Sequence, residues 1–456
     1  MSVLLLIPSF ISLFLVLRGR IETAFLSVYL PCLLCIPDDY QLRIPHLPPT
    51  SAAQFALIPL GVVGVFRLIR SGSLAFMDIL VVLFAASVSL SEILHTAVLN
   101  NGIFFALNTF VATVLAYVSG RTLIEPDLRL ATVQRFVTLV LLNGPIGLYE
   151  WRMGQSPYGV FGQRVLGITT IFENVQIRNG HGRMGSVFCG AEPGGIAFAM
   201  TFCLNAWLAY LRRVQAPVDP GERSTKFEKL IQTPILSSLK YHVPGLLLLL
   251  YLWLTQSRGP QLALVAGCLI LQIPRFKSTR IGTILVAVLL VGGYWAASTY
   301  FASYKTFDQT ALTEQQGSAL YRLELNRVYP PIAEKGGWTG WSMGGFPHLE
   351  GLDSIDNHYL LIHLAWGRLG YIFFLLIAWD NIRVLVMRSW QLEALEDRAF
   401  IFSMLAAMAV LWFTLLTVFL AGQLPQISFL LIGWIQSVRQ PPRVRGVSFS
   451  FQRVLT

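Results

Sequence analysis

Residues 281–300 read IGTILVAVLLVGGYWAASTY, twenty residues without a charge. A helix rises 1.5 Å per residue, so about 20 apolar residues match the roughly 30 Å hydrocarbon core of a bilayer. The stretch predicts a transmembrane helix. Further apolar runs lie at residues 77–90, 185–211 and 371–379. Strands of a membrane barrel would alternate apolar and polar residues, and these runs do not.

Composition agrees. The chain has 456 residues, of which 54% are hydrophobic and 13% charged, with a mean hydropathy of +0.60. Soluble domains carry about 25% charge, so this chain cannot cover a water-facing surface of its own size. The fold expected is all-α and polytopic, with 12 or 13 membrane helices. Spans are placed near 3–17, 21–36, 51–66, 74–93, 103–119, 134–150, 186–211, 244–256, 259–273, 281–300, 357–380, 400–420 and 426–438. Residues 3–17 have no basic segment before them and no small-residue cleavage site after them, so they read as a first short span rather than a signal peptide.

The net charge of +10 does not point to nucleic acid, because the basic residues sit between the apolar runs. Alternate connections hold 23 of the 34 Lys and Arg, from Arg18 and Arg20 through the tail that begins at Arg439. By the positive-inside rule these connections are cytoplasmic, which places the C-terminus inside. The organisation expected is 1–130, N-terminal membrane helices; 131–300, central helices with an outer loop at 151–186; 301–356, a large outer loop; 357–438, C-terminal helices; and 439–456, a basic cytoplasmic tail. The five cysteines are scattered. Cys32 and Cys35 form a CxxC without a nearby His or Cys, a poor redox or metal site.

Basic residues in the outer connections run against the positive-inside rule and so point to an anionic ligand. Arg183 closes the 151–186 loop in a glycine-rich run, followed by Glu192-Pro193-Gly194-Gly195 a few residues into the next apolar segment. Pro and Gly there suggest a broken helix start lining a cavity. Arg258 sits in the short Ser257-Arg258-Gly259 connection at the membrane surface, where a cation needs an anionic partner. In the 301–356 loop, Arg322 and Arg327 are spaced for a short amphipathic helix. Trp338 and Trp341 suit either sugar stacking or the membrane interface. Asn357 and His358 open the next span. His358 is a candidate base or phosphate donor, with Asp353 or Asp356 to orient it. His363 lies five residues on, about 140° around a helix, so no paired-histidine metal site is expected.

In their order, the Arg-Met-Gly-Ser run at 183–186, the Ser-Arg-Gly at 257–259, Tyr321-Arg322 in a large loop, and Asn357-His358-Tyr359-Leu360 with Trp366-Gly367-Arg368-Leu369-Gly370 resemble the O-antigen ligase and bacterial polysaccharide polymerase superfamily. The resemblance covers about residues 130–420. It implies a membrane glycosyltransferase of the GT-C kind in the bacterial inner membrane, with the large loop in the periplasm. The donor it implies is an undecaprenyl-diphosphate-linked glycan. The acceptor is either the lipid A core or a second lipid-linked glycan, and neither metal nor nucleotide sugar is required. Carried over, Arg183 and Arg258 bind the diphosphate, His358 stands beside the acceptor hydroxyl, and Arg322 is a weaker match. Glu192-Pro193 departs from the ligase pattern towards the polymerases. Arg368 departs too, and is left to face the cavity or pair with an acid such as Glu192. Arg183, Arg258 and His358 are expected around one outward cavity beneath the 301–356 loop. The rival readings are a transporter or flippase for an anionic lipid or solute, and a non-catalytic scaffold. The absence of an internal repeat and the gathering of polar residues in outer loops favour the enzyme.

Overall fold

The structure is a computed structural model describing residues 2–44, 46–168, 175–214, 234–303, 314–352 and 354–438. Asp353, Lys305, the basic residues 223–229 and the tail from Arg439 lie outside the described residues.

The chain is mostly helical and reads as a multi-pass membrane protein. Its described helices are α1 (Leu4–Leu17), α2 (Ile21–Cys35), α3 (Ala52–Ser71), α4 (Phe76–His95), α5 (Leu99–Leu123), α6 (Pro126–Met153), α7 (Ala191–Val214), α8 (Pro234–Leu254), α9 (Arg258–Ile270), α10 (Thr279–Ser303), α11 (Glu314–Lys335), α12 (His358–Gln391), α13 (Leu395–Thr414) and α14 (Leu424–Val438). Eight of these, α3–α7, α10, α12 and α13, are long and apolar enough to cross a bilayer. Three more, α1, α2 and α14, are apolar but shorter, as is the apolar part of α8, His242–Leu254. Helix α9 has only 13 residues, so the span expected at 259–273 is a short helix.

Local chemistry sets the ends. The Ser51 side chain and the Gln54 side chain cap α3 reciprocally, and Gly72 closes it with φ 61°. Asp78 accepts from the Ala75 amide at 2.6 Å and also pairs with Arg121 of α5, while Tyr117 donates to it at 2.5 Å. That ion pair is buried, which satisfies both charges away from water. Helices α7 and α13 form the centre, each 78% buried over its apolar window, whereas α10 is only 11% buried and presents Val288, Val291 and Trp295 outward. An apolar rim of this size on a helical bundle is a lipid-facing surface.

The predicted outer loops hold regular structure among the described residues. Two small antiparallel pairings, Gln41–Leu42 with Thr50–Ser51 and Ile177–Arg178 with His181–Gly182, lie in them. The large loop contains a helix of 22 residues, α11, rather than the short one expected. Leu325, Tyr329 and Ala333 of α11 form a second core with Phe346, Leu352, Ile355 and the first turns of α12.

Helix α12 is broken at Gly367, which has φ 64° and ψ −163°, where an unbroken turn was expected. The Gly/Trp-rich loop is spliced into the break. Leu364 and Ala365 carbonyls accept from the Trp341 and Ser342 amides at 3.0 and 2.9 Å. The Arg368 and Leu369 amides donate to Gly337 and Trp338 carbonyls at 3.1 and 3.2 Å. Four of the backbone groups at the break thus find partners in the loop, as buried backbone requires. Helix α4 secures the splice. The Ser91 hydroxyl donates to the Ala365 carbonyl at 2.7 Å. The Glu92 carboxylate accepts from the Met343 amide at 2.7 Å and the Trp366 indole at 3.1 Å.

The break also places Arg368. It pairs with Glu334 of α11, not with Glu192, and does not line the cavity described below. Arg368 holds the Glu334 carboxyl below its ordinary range through their hydrogen bond.

Candidate functional site

One cavity of about 450 Å³ is lined from four parts of the chain: 37–40, 150–193, 322–356 and 417–422. All four fall in or beside connections that the sequence places on the outer side. A second cavity, of about 310 Å³, gathers Asp127, Arg129, Arg388, Asp397 and Ser437 from connections of the opposite set. The two cavities share no lining residue.

The first cavity is built around the turn that carries Arg183. Glu150, near the end of α6, is buried and accepts from the Gly185 amide at 2.9 Å, the Ser186 amide at 2.5 Å and the Ser156 hydroxyl at 2.8 Å. Three donors on one carboxylate fix the 183–186 turn. Arg183 is itself buried. Its Nε donates to the Thr255 carbonyl at 3.1 Å, one Nη donates to Gln176 at 2.5 Å, and the other lies 2.6 Å from the Glu192 carboxylate. Arg178 donates to the Gln256 carbonyl at 3.0 Å. Two arginines from the 151–186 loop thus clamp the turn that leads into Ser257-Arg258-Gly259.

Arg258 does not line the cavity but stands beside it. It is the first residue of α9 and is exposed, and it has no hydrogen bond or ion pair among the described residues. The next residue, Gly259, packs against the hydroxyl of Thr417, a cavity-lining residue.

His358 is buried behind the same wall. Its amide donates to the Leu415 carbonyl at 3.0 Å, its Nδ1 accepts from the Leu420 amide at 3.3 Å, and its ring meets Phe374 edge to face at 5.3 Å. It holds the 415–420 segment, of which Thr417, Val418 and Phe419 line the cavity. Asn357 caps α12 by accepting from the Tyr359 and Leu360 amides at 3.0 and 3.3 Å, and it donates to Asn326 of α11.

From the large loop, Arg322 and Asp356 reach the cavity, 3.8 Å apart. Arg327 points elsewhere, exposed and paired with Glu324 at 2.5 Å. Trp341 packs into the loop core and donates to the Ile332 carbonyl at 3.1 Å. Trp338 is 59% exposed, near the Arg368 guanidinium. Neither tryptophan lines the cavity. No family model matches this chain, and no curated protein matches it.

Residues that the sequence did not single out complete the wall. Asp39 and Tyr40 come from the connection after α2, and Tyr158 from that after α6. Tyr40 donates to the Tyr158 carbonyl at 2.5 Å. Gln423 donates to the Ile36 carbonyl at 3.0 Å and the Val187 carbonyl at 2.9 Å, tying three segments together. The Asp39 carboxyl is pushed up to about 6 by burial and by the neighbouring Asp38. Burial, with Asp39 and Asp38 close by, holds the Cys189 thiol well above its ordinary value. The signal in the sequence was the Asp38-Asp39 pair directly after an apolar run.

Proposed function

We propose that this protein transfers a glycan from an undecaprenyl-diphosphate-linked donor to a hydroxyl acceptor at the outer leaflet of a bacterial inner membrane. The acceptor is a lipid A core or a second lipid-linked glycan. The observation that carries this reading is a cavity between apolar helices that gathers Arg183, Arg178 and Arg322 together with carboxylates, with Arg258 at its side. A lipid-diphosphate glycan presents two negative charges beside an apolar tail and a polar sugar. Departure of the diphosphate builds charge on its oxygens as the glycosidic bond breaks. Guanidinium groups stay charged and pair with phosphate oxygens bidentately, which stabilises that charge. The GT-C architecture and the periplasmic placement of the large loop belong to the same proposal.

Two arginines have different parts in it. Arg183 is locked by the protein before any ligand arrives, so it supplies a fixed charge. Arg258 has no partner among the described residues and is available to a phosphate. Arg258→Ala is expected to weaken binding of the lipid diphosphate about 10- to 100-fold, the worth of one charge-assisted hydrogen bond. Its thermal midpoint should stay within about 1 °C of the parent, since an exposed, uncontacted side chain contributes little to stability. A fall in midpoint with unchanged donor affinity would make Arg258 a structural residue.

The reading as a whole is tested by transfer in proteoliposomes. Purified protein receives an undecaprenyl-diphosphate oligosaccharide with either lipid A core or a second lipid-linked oligosaccharide. Product on the core means a ligase, and a ladder without core means a polymerase. No transfer with either acceptor, from folded protein and native substrates, sinks the reading in favour of a transporter or flippase.

A further inference from the structure

Transfer to a hydroxyl needs a group to take its proton, and the carboxylates of the cavity differ in their readiness. Glu150 already holds three donors, Glu192 is paired with Arg183, and Asp356 accepts from the Ser354 hydroxyl at 2.7 Å beside Arg322. Asp39 is different. It lines the cavity, and its Oδ2 is buried without a hydrogen-bond partner among the described residues. A carboxylate with one oxygen buried and unpartnered is costly in its charged form, so Asp39 takes a proton more readily than the carboxylates that already hold donors.

His358 does not compete for the role in this arrangement. Its Nδ1 accepts from a backbone amide, so the neutral ring carries its proton on Nε2 and is a donor there. The ring lies behind the wall rather than in the lining.

We propose that Asp39 is the general base that takes the acceptor proton, an assignment that rests on the function proposed above. In the step, the acceptor oxygen forms a bond to the anomeric carbon. The bond from that carbon to the diphosphate oxygen breaks, and its electron pair stays with the diphosphate. The hydroxyl proton passes to the Asp39 carboxylate, which loses it to water after the product leaves. The negative charge that Asp39 gives up is the charge that the diphosphate gains, facing the arginines.

Asp39 titrates near neutrality beside Asp38, whose carboxyl burial also raises. Asp38 and Tyr40 flank it on its own segment; Cys189 faces it from the turn before α7, and Tyr158 and Glu150 from the end of α6 and beyond. The Tyr40 hydroxyl is raised to about 12 and that of Tyr158 is raised further, both chiefly by burial. Arg178, Arg183 and Arg322 are the cations of the same lining. The base form of Asp39 is present above about pH 6 and disappears below it.

The experiment measures the pH profile of transfer in proteoliposomes for the parent, Asp39→Asn and Asp39→Glu, with binding of undecaprenyl diphosphate measured alongside. The parent should show an acid limb near pH 6. Asp39→Asn should lose about 10²- to 10⁴-fold in turnover together with that limb, while keeping donor affinity within about threefold. Near-parental turnover with the limb intact in Asp39→Asn overturns the assignment and leaves the glycosyltransferase reading standing. If Asp39→Asn also fails to bind donor, Asp39→Glu decides: recovered transfer with an acid limb supports the base, and recovered binding without transfer overturns it. No transfer by the parent, in contrast, removes the function itself.

Discussion

Gly367→Ala is expected to abolish folded protein, or to destabilise it by more than about 4 kcal/mol, the range reserved for disrupted cores and backbone strain. Two costs add. The Gly367 backbone lies in a region that is essentially glycine-only, worth about 1–3 kcal/mol for another residue. The new methyl would also strike the Gly340 amide and the Trp338 carbonyl, both backbone atoms that cannot swing away. Relief of the clash requires the loop to withdraw, and four backbone hydrogen bonds go with it, each worth about 0.5–1.5 kcal/mol. Gly337→Ala provides the contrast. It has a similar φ of 64° but nothing near its Cβ position, so only about 1 kcal/mol is expected. Monodispersity and thermal midpoint in detergent read both. Equal midpoints for the two variants would show that the splice contributes nothing.

Arg183→Ala should cost about 10²- to 10³-fold in transfer, the scale on which one fixed electrostatic donor acts. The loss has two sources. A positive charge held in place beforehand disappears from the cavity. Glu192, deprived of its partner 2.6 Å away, then offers a bare carboxylate to an anionic donor. Arg183→Ala combined with Glu192→Ala should therefore recover part of the donor affinity that the single change loses, a coupling expected of residues in direct contact. Arg183→Lys should remain well below the parent, because an ammonium cannot serve the Thr255 carbonyl, Gln176 and Glu192 from one plane. Binding and transfer assays on the three variants check this. Additive losses would refute the pairing, and parental turnover in Arg183→Ala would refute the role.

The helical, membrane-embedded character was legible because hydropathy needs only composition along the chain. The meeting of the Arg183 turn with the Ser257-Arg258-Gly259 turn was expected from the resemblance alone, and in the structure the turns join while Arg258 and His358 stay out of the cavity lining. Partners across long separations were not legible. Nothing local says that Arg368 seeks Glu334, because that pairing follows from the break at Gly367. Glycine in an apolar helix is common, and its φ is invisible in the sequence. Asp39 was overlooked for a related reason. Its interest comes from an unsatisfied oxygen, and satisfaction is a property of the packed state. For Trp338 and Trp341, residue type suited both sugar stacking and the membrane interface, and only packing separates them, with Trp341 in the loop core and Trp338 on the surface.

The four segments that wall the cavity span residues 37 to 422, and the last of them, 417–422, is held by His358 and followed directly by Gln423, which ties residues 36 and 187. During synthesis the Arg183 turn and its Glu150 anchor emerge long before this closing piece. A nascent chain that has not yet delivered α13 and α14 therefore carries its charged groups in an unroofed groove without a back wall. The wall of the cavity is therefore complete only when the segment between α13 and α14 is in place.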